Sequence, residues 1–302
     1  MASQRTDSLR LFRVFGIDVY VHWAWIFVAI YQINYRAHAY SSIGWKIAEY
    51  LSLFLIVLIH EFGHALATRQ VGGKADQILL WPFGGIAYVS PPARPGAELW
   101  SIAAGPLVNV VLFFVFTAVV RFQEIPLSFD AHLPDLETFL RNLWWINTGL
   151  LIFNLLPVYP LDGGQIFRSL LWFFIGRARS MYVAAIFGFL GAAALGVLAL
   201  TKRDIWLGLI TFYLASNCRR AWDHAKTLTA LERLPRRPEF TCPSCHVHPP
   251  IGALWRCHQC GVGFDTFETR AECPHCHTTF PTTICIDCRE SHPLFDWMRR
   301  VS

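Results

Sequence analysis

Residues 51–64 read LSLFLIVLIHEFGH, an unbroken apolar run closed by His60, Glu61 and His64. On a helix, residues four apart share a face one turn up, so the two imidazoles can turn a ring nitrogen toward one metal ion. Glu61 lies beside that face and can reach a water at the metal without ligating it, which is where a general base belongs. Two histidines and a carboxylate set in an apolar span are costly unless paired or bound, so the cluster reads as a zinc site with His60 and His64 as ligands.

The neighbouring sequence makes this run part of a membrane protein. Val19–Tyr35, Ser101–Val120, Leu143–Leu161 and Ser180–Leu200 carry no charge, and Trp45–Thr68 and Ile205–Cys218 are further apolar candidates. A helix needs roughly 20 apolar residues to cross a bilayer. The expected fold is therefore an all-α polytopic membrane protein of about six transmembrane helices with a small zinc-bearing C-terminal domain. The chain is 302 residues with 16% charged and 54% hydrophobic residues, which argues against a soluble enzyme and against disorder. The first apolar run is preceded by Arg5, Arg10 and Arg13 and followed by Ala37-His38-Ala39, as in a secretory signal. Its length and Arg36 argue for a retained first helix.

Charge sets the expected orientation. Alternate segments carry Arg5, Arg10 and Arg13; Arg69, Lys74 and Arg94; Arg168, Arg177 and Arg179; and Arg219, Arg220 and Lys226. The intervening ones carry fewer basic residues, and residues 122–140 include Glu124, Asp130, Asp135 and Glu137. The positive-inside rule then places both termini in the cytoplasm of a multi-pass protein, in the cell membrane if the source is bacterial. A reducing compartment also leaves the cysteines free for metal.

A third zinc ligand is offered by Asp162, which ends a stretch of 24 residues without an acid and sits between Pro157, Pro160 and Gly163-Gly164. Irregular backbone at membrane depth is tolerated only where it lines protein or a cavity. A turn aspartate before two glycines is the plainer reading of Asp162 taken alone. His22 is expected to be a core or interfacial histidine, Trp144 and Trp145 interfacial anchors, and Cys218 a packing residue.

Taken together and in order, four motifs resemble the site-2 proteases, the zinc intramembrane proteases. They are His60-Glu61-Phe62-Gly63-His64, Trp81-Pro82-Phe83-Gly84-Gly85, Gly105-Pro106-Leu107-Val108-Asn109, and Asn154 with Pro157 and Pro160-Leu161-Asp162-Gly163. The six-span plan without an inserted PDZ domain is most similar to the branch of the sporulation-factor processing protease, over roughly residues 10–225. The resemblance implies that His60, His64 and Asp162 hold a catalytic zinc and that Glu61 is the catalytic base. It also implies that Asn154 orients substrate or the oxyanion. The reaction implied is hydrolysis of a transmembrane protein substrate within the bilayer. Residues 77–89 resemble the family's membrane-associated β-hairpin, which could hold unwound substrate by strand addition; a re-entrant loop over the site is the other reading. Gly105 would permit close helix packing.

The tail differs from that branch, which often carries a CBS domain here. Residues 219–239 are basic and helical in pattern. Four CxxC pairs follow: Cys242/Cys245, Cys257/Cys260, Cys273/Cys276 and Cys285/Cys288, all within 47 residues. Each pair can place two thiolates on one metal, so two structural zincs in a double zinc ribbon are expected, one catalytic zinc besides. Sequential, crossed and nested pairings all satisfy the count, and the ribbon-like 257–276 segment favours nesting. From Phe240 onward five Arg meet six acids and no Lys, so no nucleic acid is expected. The expected divisions are 1–15, a cytoplasmic N-terminus; 16–220, the six-helix metalloprotease; 221–240, a juxtamembrane helix and linker; and 241–302, the zinc-ribbon domain. The competing function is a non-proteolytic scaffold whose tail recruits a cytosolic protein partner; a zinc transporter ranks below both, because polar residues are confined to two spans.

Overall fold

The computed structural model describes residues 8–35, 40–81, 84–123 and 134–298. Arg5, Arg36, His38, Pro82, Phe83, Glu124 and Asp130 lie outside them. The chain is mostly helical, with β1 (Ser8–Val14), β2 (Ile17–His22), α1 (Trp25–Tyr35), α2 (Ile43–Gln70), β3 (Lys74–Trp81), β4 (Gly84–Ser90), α3 (Pro95–Gln123), α4 (Pro134–Leu155), α5 (Asp162–Ile175), α6 (Arg177–Lys202) and α7 (Ile205–Glu232). Among the described residues, three helices are long and apolar enough to cross a membrane: Ile43–Gln70, Pro95–Arg121 and Arg177–Lys202.

The sequence expectation of an all-α membrane part needs correction at its front end. Four strands form one sheet in the order β1-β2-β3-β4. The run Val19–Tyr35 is not one helix, because Ile17, Val19 and Val21 alternate with Asp18, Tyr20 and His22 and pair with β1 and β3. Such β-branched alternation suits a half-buried strand. What remains of that run is the 11-residue α1, about 16 Å long at 1.5 Å per residue. The hairpin expected over residues 77–89 is present as β3–β4 but belongs to this larger sheet. Parallel pairing of β2 with β3 requires a crossover, which α1 and α2 supply.

The sheet's inner face fixes α2. Ile17, Val19, Ala75, Ile78 and Leu80 are fully buried and pack with Trp25, Val57, Leu58 and Ala65 in one apolar cluster. At the foot of α2, Arg69 donates to the carbonyls of Phe15, Gly16 and Ala75, clamping the helix end to the β1–β2 turn and to β3. Arg69 thus has a packing role besides its expected charge role. The helix that carries the HExxH motif is held along its length by apolar burial and at its end by one guanidinium.

The Trp144 indole N–H donates to Thr117 Oγ1 at 2.8 Å between α3 and α4, and Trp145 is exposed. Arg168 is no loop charge but a buried residue of α5, ion-paired with Glu98 of α3. Cys218 is fully buried as expected, its thiol against the Tyr159 carbonyl at 3.1 Å. α7 runs unbroken past residue 220 to Glu232.

In the tail, β5 (Trp255–Arg256) pairs with β6 (Gly263–Phe264), and β7 (Thr283–Ile284) with β8 (Ser291–His292). Trp297, Phe267, Trp255 and Phe264 build a small core between the cysteine knuckles. Each knuckle closes the same way. The residue after its second cysteine (His246, Gly261, His277 and Arg289) takes a left-handed backbone and returns its N–H to the first cysteine's carbonyl at 2.9, 2.9, 3.0 and 2.9 Å.

Candidate metal centre

His60, Glu61 and His64 are all buried on α2, against α3. A Cβ on Gly105 of α3 would overlap both imidazoles, so only glycine lets α3 pass this close to them. Pro157 and Pro160 end α4, and the chain folds back so tightly that a Cβ on Gly163 would fall inside the carbonyls of Leu155 and Leu156. This turn sets Asp162 at the start of α5, facing the histidines. His60 Nε2 lies 3.1 Å from His64 Nε2, and Asp162 Oδ2 lies 3.1 Å and 3.4 Å from them respectively. A tetrahedral zinc with bonds of about 2.0–2.1 Å spaces its ligand atoms about 3.3–3.4 Å apart.

The second ring nitrogens decide what the first can do. His60 Nδ1 donates to Asn109 Oδ1, and His64 Nδ1 to the Ser101 carbonyl at 2.9 Å. Both acceptors lack a proton, so each imidazole carries its own on Nδ1 and presents a bare Nε2 when neutral. Asn109 is held in turn: its Nδ2 donates to Asn147 Oδ1 at 2.9 Å, and Asn147 Nδ2 donates to the Asn109 carbonyl at 2.9 Å. Three electron-rich atoms therefore converge, and Asp162 Oδ2 is buried with no hydrogen-bond partner. The donor set fits a cation in their midst and is the two-nitrogen, one-oxygen set typical of zinc with one position left open.

Glu61 and Asn154 share with these three residues a cavity of about 770 Å3. Glu98, Arg168, Gln165 and Tyr213 also line it, as do Val89 and Pro91 at the end of β4. His22 stands apart from it: its Nδ1 accepts the Ala24 N–H at 3.2 Å, and its ring packs on Trp23 and Trp81. The sequence reading missed Asn147 and the Glu98–Arg168 pair. Asn147 had a signal, an amide inside an uncharged run; Glu98 and Arg168, 70 residues apart, gave no local one.

The tail's thiols gather in two groups, Cys242, Cys245, Cys285 and Cys288 in one and Cys257, Cys260, Cys273 and Cys276 in the other. This is the nested arrangement. Sγ–Sγ distances across the pairs are 3.6 and 3.8 Å in the outer group and 3.5 Å twice in the inner. They are far beyond a disulfide bond and near the about 3.8 Å edge of a zinc–sulfur tetrahedron. The Thr278 hydroxyl lies 3.1 Å from Cys276 Sγ, placed to donate to a thiolate there.

A helical frame that buries two histidines of HExxH against an aspartate defines a zinc metallopeptidase. The comparisons give the family: the chain belongs to Peptidase family M50, whose model matches residues 48–135 and 127–198. It is similar to a zinc metalloprotease of Methanocaldococcus jannaschii, 32% identical over 244 residues, covering 81% of this chain and 69% of that one. It is also similar to Stage IV sporulation protein FB of Bacillus subtilis, 37% identical over 118 residues and 38% of each chain. The solved structure of a site-2 protease from Methanocaldococcus jannaschii matches 71% of this chain and 95% of that one, at a TM-score of 0.51 and 29% identity. The fold is that of the site-2 proteases, and the resemblance read from the motifs holds.

Proposed function

We propose that this chain hydrolyses peptide bonds of transmembrane protein substrates within the bilayer, with His60, His64 and Asp162 holding the catalytic zinc. The observation that carries the proposal is the convergence of two bare Nε2 atoms and one orphaned carboxylate oxygen at 3.1–3.4 Å, in a cavity that also holds Glu61. Zinc bound there supplies Lewis acidity, lowering the pKa of a water toward about 7. Glu61 takes the proton from the attacking water and passes it to the leaving nitrogen. Asn154, on the cavity wall, offers its amide N–H to the developing oxyanion or to the substrate backbone. The Nδ1 bonds to Asn109 and Ser101 keep both imidazoles aimed while this happens.

A substrate helix hides its carbonyls and must unwind before it is cut. β4 pairs only with β3 among the described residues, and its end lines the cavity at Val89. Its open edge can take an unwound segment as an added strand. In this reading the six membrane segments are a first one that begins with α1, then α2, α3, α4, α6 and the part of α7 before residue 220, and both termini are cytoplasmic. Residues 16–220 form the protease, 221–240 the juxtamembrane helix and linker, and 241–302 the ribbon domain, its eight cysteines holding two structural zincs. The presence of His60, Glu61, His64 and Asp162 together supports this reading over the scaffold.

The test compares membranes of cells making the wild type or Glu61→Gln, by sequencing new protein N-termini. Termini inside membrane spans that are absent from the variant are expected. Identical sets of termini would contradict the proposal.

A further inference from the structure

Beside the catalytic cavity lies a second, polar cleft of about 220 Å3, where the ribbon domain meets the membrane core. Arg168 of α5, Arg177 at the start of α6, His224 of α7 and Arg289 of the tail all line it, with Glu98 as its one acid. That carboxylate is committed to Arg168. Arg177 donates to a neutral acceptor, the Asp287 carbonyl at 3.3 Å, and lies over the Trp172 ring at 5.3 Å. The Asp287 carboxylate is itself engaged by Arg236 at 2.6 and 3.2 Å. Arg177 and Arg289 are thus cations without an ion-pair partner among the described residues.

The sequence makes this arrangement costly in two ways. Arg289 is the residue after the fourth knuckle, with φ at 66°. Glycine occupies the same place in the second knuckle, Gly261, and a long side chain is not the easy choice for a left-handed backbone. Three guanidinium groups from three elements then converge; Glu98 is paired with Arg168, and Asp287 and Glu232 act on Arg177 from nearby without a direct ion pair. His224, beyond the membrane part of α7, registers that field: burial, then Arg177, Arg289 and Arg168, hold its imidazole below the ordinary range. A concave cationic surface of this kind concentrates anions, and arginine's planar fork matches phosphate oxygens two at a time.

We propose that this cleft is a phosphate-binding site, with Arg177 and Arg289 as its free ligands and His224 at its rim. The group bound is a phosphate mono- or diester, carried by a soluble molecule or by the headgroup of an anionic lipid. Either would bridge the α6 start to the Cys285–Arg289 knuckle and so fasten the ribbon domain onto the membrane core.

The test uses the full-length, zinc-loaded protein and the variants Arg177→Gln and Arg289→Gln. One arm titrates inorganic phosphate by calorimetry in detergent, against chloride at equal ionic strength. The other arm reconstitutes the protein with phosphatidylcholine alone or with phosphatidylglycerol and counts retained lipid by native mass spectrometry. Saturable phosphate binding in the first arm assigns a soluble ligand, and selective phosphatidylglycerol retention in the second a lipid headgroup. In either case each variant should weaken binding about tenfold or more. Zinc content equal to wild type shows that the variants fold. Absence of binding in both arms, or binding unchanged by both substitutions, would overturn the proposal.

Discussion

Asn109→Ala separates a metal site built by this chain from a mere cluster of buried polar groups. Asn109 is fully buried; its side chain accepts from His60 Nδ1 and donates to Asn147 Oδ1 at 2.9 Å. Truncation leaves the Nδ1–H of His60 and the carbonyl oxygen of Asn147 without partners in an apolar interior, at about 1–3 kcal/mol each. The Asn147 part falls equally on the metal-free and metal-bound states and lowers only stability. The His60 part does not, because a free imidazole can move its proton or rotate whereas a ligating one cannot. The variant should therefore bind metal about 10–100-fold more weakly, or about 1.4–2.7 kcal/mol. Cobalt titration reads this directly, since thiolate charge-transfer bands mark the two four-cysteine groups and a site of two imidazoles and one carboxylate lacks them. Leu107→Ala, exposed on the same helix, is the control. A cobalt affinity within about twofold of wild type in Asn109→Ala would refute a tuning role for this amide.

Four further outcomes are expected. Glu61→Gln should keep its metal while losing about 100-fold or more in cleavage rate, read on any substrate found by terminus sequencing. Gly163→Ala forces a methyl into the carbonyls of Leu155 and Leu156; it should cost about 1–3 kcal/mol in thermal unfolding and displace Asp162 enough to lower metal content. Cys260→Ser should release one zinc of the tail and leave the outer Cys242/Cys245/Cys285/Cys288 group loaded, whereas sequential pairing would release the metal shared with Cys242. Asp265→Asn tests the tail's charge network. Burial pushes this carboxyl up, but the Gly252 N–H, the Arg237 guanidinium and the Phe267 N–H together hold it below the usual range. A depressed carboxyl stabilises above its unfolded pKa of about 3.9 and loses that contribution as pH falls through its folded value. The variant should therefore melt lower than wild type by an amount that stays constant from about pH 8 to 5, by calorimetry.

Much of the site is legible in the sequence because its chemistry is incompatible with its surroundings. His60, Glu61, His64 and Asp162 stand out as the few ionisable groups in apolar runs, and paired cysteines announce their own spacing. The sheet was harder to read. Val19 and Val21 add to an uncharged run whether they stand in a strand or a helix, and counting charges hides the alternation that separates the two. Pairing of β2 with β3 depends on residues 18–21 meeting residues 77–80, a long-range contact that no local pattern records. The Glu98–Arg168 pair is invisible for the same reason: 70 residues separate the partners. Nesting of the cysteine pairs was favoured by the inner ribbon's compactness, but only the fold brings Cys285 and Cys288 back to Cys242 and Cys245.

Zinc counted per chain tests the central claim most directly, because it needs no substrate. The purified full-length protein should hold about three zinc ions, and His64→Ala about two, with the tail unaffected. Equal zinc in the two proteins, with both folded, would contradict a metal centre at His60, His64 and Asp162.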